Sequence, residues 1–298
     1  MMKKDSMNRL FDKGRIIVKA LSNGGIGAGG TIITGDPLIG GMIGSVASDQ
    51  IDLWLGKLSE DYENRALSSW ESEKIGAVLG FAALEIEDNF NGQKIIRKDN
   101  FFNKNEFNRS SYDEIAEGIY NKAQKEYEIK KLRYYGNLLA NIAFDSEVSL
   151  EEANKLIKIA EILTYRQIQL LALFSAQSLY VKPGFPDSMM DQLAKFADDG
   201  MKIAGSDISI PKRRNLPDRS FASQGGISGY SNISIYQDLM DLNKQGLIVQ
   251  SQGQDIIIDI SRINPKLLST IGLGMQLYNL MKLDGIPENE LTELIDKL

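Results

Sequence analysis

The sequence predicts a mainly α fold: a body of long helices closed by a small winged-helix-like α/β module at its C-terminal end. Three observations predict it. Only 7 prolines fall among 298 residues, so long helices can run unbroken. Apolar residues recur at three- and four-residue spacing through the middle of the chain. Strand-like segments arise only late, at Ile208–Ile210, after Gly246 and at Asp255–Ile260. Three parts follow: a basic, glycine-rich segment at 1–48, a helical body at 49–180 and the winged-helix-like module at 181–298.

Residues 7–22 fit a short amphipathic helix with Leu10, Ile17, Val18 and Leu21 toward one side. Lys3, Lys4, Arg9, Lys13, Arg15 and Lys19 against Asp5 and Asp12 make this end basic in a chain of net charge −6. Residues 20–48 then hold one charge, Asp36, and nine glycines. An interior glycine costs a helix about 1 kcal/mol relative to alanine, so close backbone approach is the physical reason to expect here. Gly24, Gly25, Gly27, Gly29 and Gly30 lie in a loop or loose helix. Asp36 is an N-cap with Pro37 at the first helical position. A long helix then runs to about Phe90, with a break near Ser68–Ser69. Gly40, Gly44 and Ser48, with Gly41 and Ser45 beside them, form the small-xxx-small arrangement that lets helices approach closely.

Farther on, Ile51, Trp54, Leu55, Leu58 and Tyr62 repeat at helical spacing, as do Ile75, Val78, Leu79, Ala82, Ala83 and Ile86. The polar, Asn-rich stretch 91–110 is a connection. Ser111 with Glu114 is a capping box opening a helix to about Phe144, with Ile115, Ile119, Ala123, Leu132, Leu138, Leu139 and Ile142 buried. Ser149 with Glu152 opens the next helix, and Thr164 with Gln167 a third. A linker follows Tyr180, then a helix at 186–199 and a loop-rich stretch at 203–232. The module comprises a helix at 233–245, Gly246-Leu247-Ile248-Val249 leading into a strand, a turn at 252–254, the strand Asp255–Ile260, and helices at 265–282 and 287–297.

Composition narrows the chemistry. The chain has no cysteine and no histidine. Disulfides, thiolate nucleophiles, imidazole metal sites and Ser-His-Asp catalysis are therefore excluded. No catalytic residue, cofactor or metal is expected and the chain reads as non-enzymatic; carboxylate, Lys, Tyr or carboxylate–Mg²⁺ chemistry is what remains open to an enzyme. Carboxylates cluster at Glu85, Glu87 and Asp88, at Asp113, Glu114 and Glu117, and at Glu126 and Glu128. With lysines close by on the same helices, they read as solvated faces with one-turn ion pairs. Gly25-x-Gly27-x-x-Gly30 matches a dinucleotide fingerprint in form but lacks the flanking strand and βα alternation. The negative net charge argues against nucleic acid as a general partner. The helix at 233–245 carries Asp238 and Asp241 against Lys244, and the basic cluster Lys212, Arg213 and Arg214 precedes it.

No secretory leader is read at the N-terminus, and Asp36-Pro37 splits the apolar stretch into pieces shorter than the ~20 residues that span a bilayer. The six basic residues would face anionic lipid, each worth about 1 kcal/mol near a charged surface.

Residues 117–174, EGIYNKAQKEYEIKKLRYYGNLLANIAFDSEVSLEEANKLIKIAEILTYRQIQLLALF, resemble a helical segment of bacterial proteins from mobile elements and phage-defence neighbourhoods. With LMDLNKQGLIVQ and the terminal helices after it, the chain over about 70–285 is similar to the Abi-alpha abortive-infection proteins. The resemblance implies defence by growth arrest or cell death, and no catalytic residues come with it. The expectation is a phage-defence effector that permeabilises the inner membrane through its glycine-rich segment. It would be cytoplasmic until recruited to that membrane by a protein partner or phage-derived trigger, and would form homo-oligomers through Gly40, Gly44 and Ser48. Two alternatives stand: a cytosolic oligomeric adaptor or toxin–antitoxin partner protein, and a winged-helix DNA-binding regulator.

Overall fold

The computed structural model describes residues 12–21, 67–175, 216, 230–250 and 260–298. Over these residues the protein is mainly helical, and the strands form a two-stranded antiparallel pair. The chain divides into two compact units: Met1–Tyr165 with Leu280–Lys282, and Arg166–Asn279 with Leu283–Leu298.

The first unit contains helices α1 (12–21), α2 (Ser69–Asn91), α3 (Ser111–Lys125), α4 (Lys131–Ile142) and α5 (Leu150–Ile162). Its centre is α2, in which every residue from Lys74 to Ala82 is buried. A helix apolar on all sides needs neighbours on all sides. It packs most extensively on α4 and also on α3, while α5 lies against α3. Gly136 permits the α2–α4 approach. A Cβ there would stand 2.6 Å from Phe81 Cβ and 2.7 Å from the Val78 carbonyl oxygen.

The expected break at Ser68–Ser69 is the start of α2. Ser68 Oγ accepts from the Glu71 amide, and Glu71 Oε2 accepts from the Ser68 amide at 2.8 Å. The Gln124 side chain donates to Glu71 Oε1 at 2.9 Å. That bond, with those from Ser68, holds the Glu71 carboxyl down at about 2. The expected stretch from Asp36 to Ser48 lies outside the described residues.

One long helix from Ser111 to Phe144 is corrected in two places. The capping pair is Ser110 with Asp113, one residue earlier than expected, and Ser111 is the first helical residue. The helix also stops at Lys125. Glu126 Oε1 accepts from the Tyr127 and Glu128 amides, both at 2.9 Å, so its side chain takes donors that a continuing helix would use. Lys74 Nζ donates to the carbonyls of Gln124 and Glu126. Those carbonyls are thus served without another helical turn. The Ser149–Glu152 capping box opens α5 as expected. In the connection 92–110, Arg97 donates to the Val148 carbonyl at 2.9 Å, pairs with Asp99, and stacks on the Phe101 ring at 3.9 Å.

The second unit holds most of α6 (Tyr165–Ser175), which starts just after Thr164, with α7 (Tyr230–Lys244), β1 (Ile248–Gln250), β2 (Leu268–Thr270), most of α8 (Gly272–Met281), and α9 (Glu288–Ile295). Gly246 ends α7 at φ +69, where an L side chain would be strained, and the Leu247 amide returns to the Leu242 carbonyl at 3.0 Å. One expectation changes here, and another lies mostly outside the described residues. β1 pairs with β2, Val249 opposite Ser269. Of the expected partner strand Asp255–Ile260, only Ile260 is described, and it begins a 3-10 turn. The expected helix 265–282 is three pieces. Asn264 caps a 3-10 turn at Pro265–Leu267, β2 follows, and α8 begins at Gly272. Pairing with β1 and a Thr270 Oγ1 bond to the Leu171 carbonyl at 2.9 Å hold 268–270 extended. The expected helix 186–199 and the strand Ile208–Ile210 lie outside the described residues.

Candidate functional site

Three of the predicted basic residues are described. Lys13, Arg15 and Lys19 are exposed on α1, while Gly14, Ile17 and Val18 are buried and Leu21 is half-buried. Gly14, Ile17 and Val18 lie on one helical stripe, and at Gly14 that stripe meets the α2 backbone. A Cβ on Gly14 would overlap the Gly76 carbonyl carbon and the Ala77 amide nitrogen, and stand 2.6 Å from the Gly76 oxygen. Ile16, 75% exposed, sits on the outer side with the basic residues. Lys3, Lys4, Arg9, Gly24, Gly25, Gly27, Gly29, Gly30, Gly40, Gly41, Gly44, Ser48, Lys212, Arg213 and Arg214 lie outside the described residues. Among the described residues, no helix is long and apolar enough to cross a membrane.

The carboxylate clusters separate into different roles. Asp113 is the capping residue of α3, and Glu117 pairs with Arg109 at 2.5 Å. Among the described residues no group of three Asp or Glu side chains could hold a metal ion. Asp238, one of the two acidic residues noted on the helix expected at 233–245, is buried in the second unit. It accepts from Arg166 Nε at 2.5 Å and from Gln167 Nε2 at 3.3 Å. Burial pushes its carboxyl up, and Arg166 opposes that shift.

Glu85 is the residue that sequence patterning misplaced. In the cluster Glu85, Glu87 and Asp88, Asp88 is exposed and Glu87 half-buried, but Glu85 is only 7% exposed. It belongs to a polar seat built by α2 and α4 around residues 280–282. Asn137 and Asn141, one turn apart on α4, donate to the Met281 and Leu280 carbonyls, each at 2.9 Å. Asn89 Nδ2 donates to Asn141 Oδ1 at 2.8 Å. The last carbonyls of a helix have no partner inside it, so these amides supply what α8 lacks at its C-terminus. Lys282 turns the chain at φ +55, and its Nζ lies 3.7 Å from Glu85 Oε1. That oxygen is buried and accepts no hydrogen bond. Burial raises the Glu85 carboxyl above its ordinary range, against the pull of Lys282 and the Asn141 side chain.

A second buried polar group sits at the α3–α4 corner. Lys131 Nζ pairs with Glu126 Oε2 at 2.7 Å and donates to the Glu161 carbonyl at 3.1 Å. The Tyr135 hydroxyl lies 3.2 Å from Glu126 Oε2 and 3.3 Å from the Ala160 carbonyl. Burial first, and the Glu126 charge second, raise the Tyr135 phenol. Every hydrogen bond named here goes to a group that fixes the corner, which makes the cluster structural.

No known protein family, curated protein or solved structure matches the chain. What the described geometry offers is therefore a docked basic helix at the root of a glycine-rich segment, and a polar seat for 280–282.

Proposed function

We propose that this chain is a bacterial phage-defence effector of the abortive-infection type, acting on the inner membrane through residues 20–48. The observation that carries this reading is the placement of α1. Gly14 meets the α2 backbone, Ile17 and Val18 on the same stripe are buried, and Lys13, Arg15 and Lys19 are exposed at the root of the glycine-rich segment. In this docked state the helix turns its cations outward, where anionic lipid would attract them. Resemblance of the middle segment to defence proteins supports the biological setting. In this reading the folded body holds the N-terminal segment, a phage-derived trigger or protein partner releases it, and assembly through Gly40, Gly44 and Ser48 permeabilises the membrane.

The winged-helix character of 181–298 belongs to the same proposal. It is supported by the order α7, β1, β2, α8, with Gly246 closing α7. Its role here is protein contact rather than DNA contact, since α7 carries Asp238 and Asp241 against Lys244 alone and so lacks cations to meet phosphates.

The test is dye release from phosphatidylglycerol-containing vesicles by the full chain, compared with the Gly40→Leu/Gly44→Leu variant. Release by the wild type, lost in the variant, is the expected outcome. Equal release by both would place the activity elsewhere. Vesicles left intact by the wild type, together with a stable soluble oligomer, would favour the cytosolic adaptor.

A further inference from the structure

We infer that α1 is an autoinhibitory latch: seated on α2 through Gly14 it hides Ile17 and Val18, and its detachment hands that apolar edge to an anionic membrane. The inference rests on the membrane reading proposed above.

The seat is built for backbone contact. At Gly14 the nearest atoms to an added Cβ are main-chain atoms of Gly76 and Ala77, in the middle of the buried run of α2. Main chain inside a packed helix cannot step aside as the tip of a side chain can. Even one methyl group at position 14 is therefore incompatible with the docked position. Alanine also favours helix more than glycine does, so the effect of Gly14→Ala comes from the lost contact and not from weaker helix propensity.

Docking is also shallow. Of the described residues of α1, only Gly14, Ile17 and Val18 are buried, whereas α2 is buried continuously from Lys74 to Ala82. Detaching α1 leaves the packing of α2 on α3 and α4 in place. Elements with few buried apolar groups are those that open below the cost of global unfolding. Once free, α1 carries Ile16, Ile17, Val18 and Leu21 beside Lys13, Arg15 and Lys19, the composition of a helix that lies in a lipid interface. The buried stripe of the docked helix and the edge that would enter lipid share Ile17 and Val18. The two states exclude each other, and that exclusion is the regulation.

The experiment uses the full chain with Gly14→Ala, and Ile17→Asp as a second way to empty the seat. Tryptic cleavage after Lys13, Arg15 and Lys19, followed by mass spectrometry, reports undocking. Co-sedimentation with phosphatidylglycerol vesicles, against phosphatidylcholine vesicles, reports membrane transfer. Both variants should be cut at these sites at least about tenfold faster than wild type, since cleavage follows the open population. Gly14→Ala should also bind anionic vesicles several-fold better. Ile16→Ala, changed on the exposed side, should be cut at the wild-type rate. Unchanged cleavage in Gly14→Ala and Ile17→Asp would overturn the latch. Faster cleavage of Gly14→Ala with no gain in vesicle binding would overturn it as a regulator. In that case, vesicle binding by the wild type keeps the membrane reading, and none by either protein removes it as well.

Discussion

At the α3–α4 corner, Glu126 and Lys131 are both buried and both hydrogen-bonded. Glu126 accepts from two backbone amides through Oε1, and through Oε2 from Lys131, with the Tyr135 hydroxyl also in reach. In the seat for 280–282, Glu85 is as deeply buried, yet its Oε1 has only Lys282 Nζ at 3.7 Å and accepts no hydrogen bond. Both pairs lie in the first unit and join the same two residue types. The difference teaches that burial alone does not make an ion pair structural. Coulomb attraction repays desolvation only when the remaining lone pairs and protons are also satisfied. The corner meets that condition and fixes where α3 ends. The seat leaves one carboxylate poised to take up a proton.

The sharpest way to break the comparison is Lys131→Met, which strands the Glu126 carboxylate in the interior. It should cost about 3–5 kcal/mol in urea unfolding at neutral pH. Next is Asn141→Leu, which deprives the Leu280 carbonyl and the Asn89 amide of their partner. A loss of about 1–3 kcal/mol is expected, measured the same way. Tyr135→Phe removes one hydroxyl from the corner and leaves the ion pair intact, so about 1 kcal/mol should be lost. The smallest effect at neutral pH belongs to Glu85→Gln, which should change stability by less than about 1 kcal/mol. If it destabilises as much as Lys131→Met, the two pairs are equivalent and the contrast falls.

Glu85→Gln also has a pH signature. Its carboxyl is raised by burial in the folded state, so the folded protein holds that proton more tightly than the unfolded chain. The stabilising contribution is complete below the ordinary carboxylate value of about 4.3 and is lost as pH rises through the raised folded value. Wild type should therefore lose stability relative to Glu85→Gln as pH increases across that window. Thermal melts of both proteins from acid to neutral pH check this, and parallel curves would show that Glu85 does not titrate there.

Local signals in the sequence were read well where their partners lie within one helical turn. Ser149 and Glu152 open α5, and Ser68 begins α2 where a break was expected. Near Ser110 and Ser111 the same signal occurs twice, with Asp113 and Glu114 each three residues on. Backbone geometry chose the earlier pair. The end of α3 was not legible, because Lys74 reaches the Gln124 and Glu126 carbonyls from fifty residues away. The same holds for Glu85, whose acidic neighbours on α2 suggested solvent while Asn141 and Lys282 come from α4 and the end of α8.

By itself, the sequence determined a mainly helical chain, a basic edge on α1, the stop at Gly246 and the absence of thiol and imidazole chemistry. Each of these follows from composition, periodicity or backbone preference within a few residues. Tertiary structure alone decided that Gly14 is a seat on α2, that β1 pairs with Leu268–Thr270, and that Glu126 is satisfied while Glu85 is not. Those outcomes depend on atoms brought together from distant positions. Desolvation and close contact act on the folded neighbourhood, which no local pattern encodes.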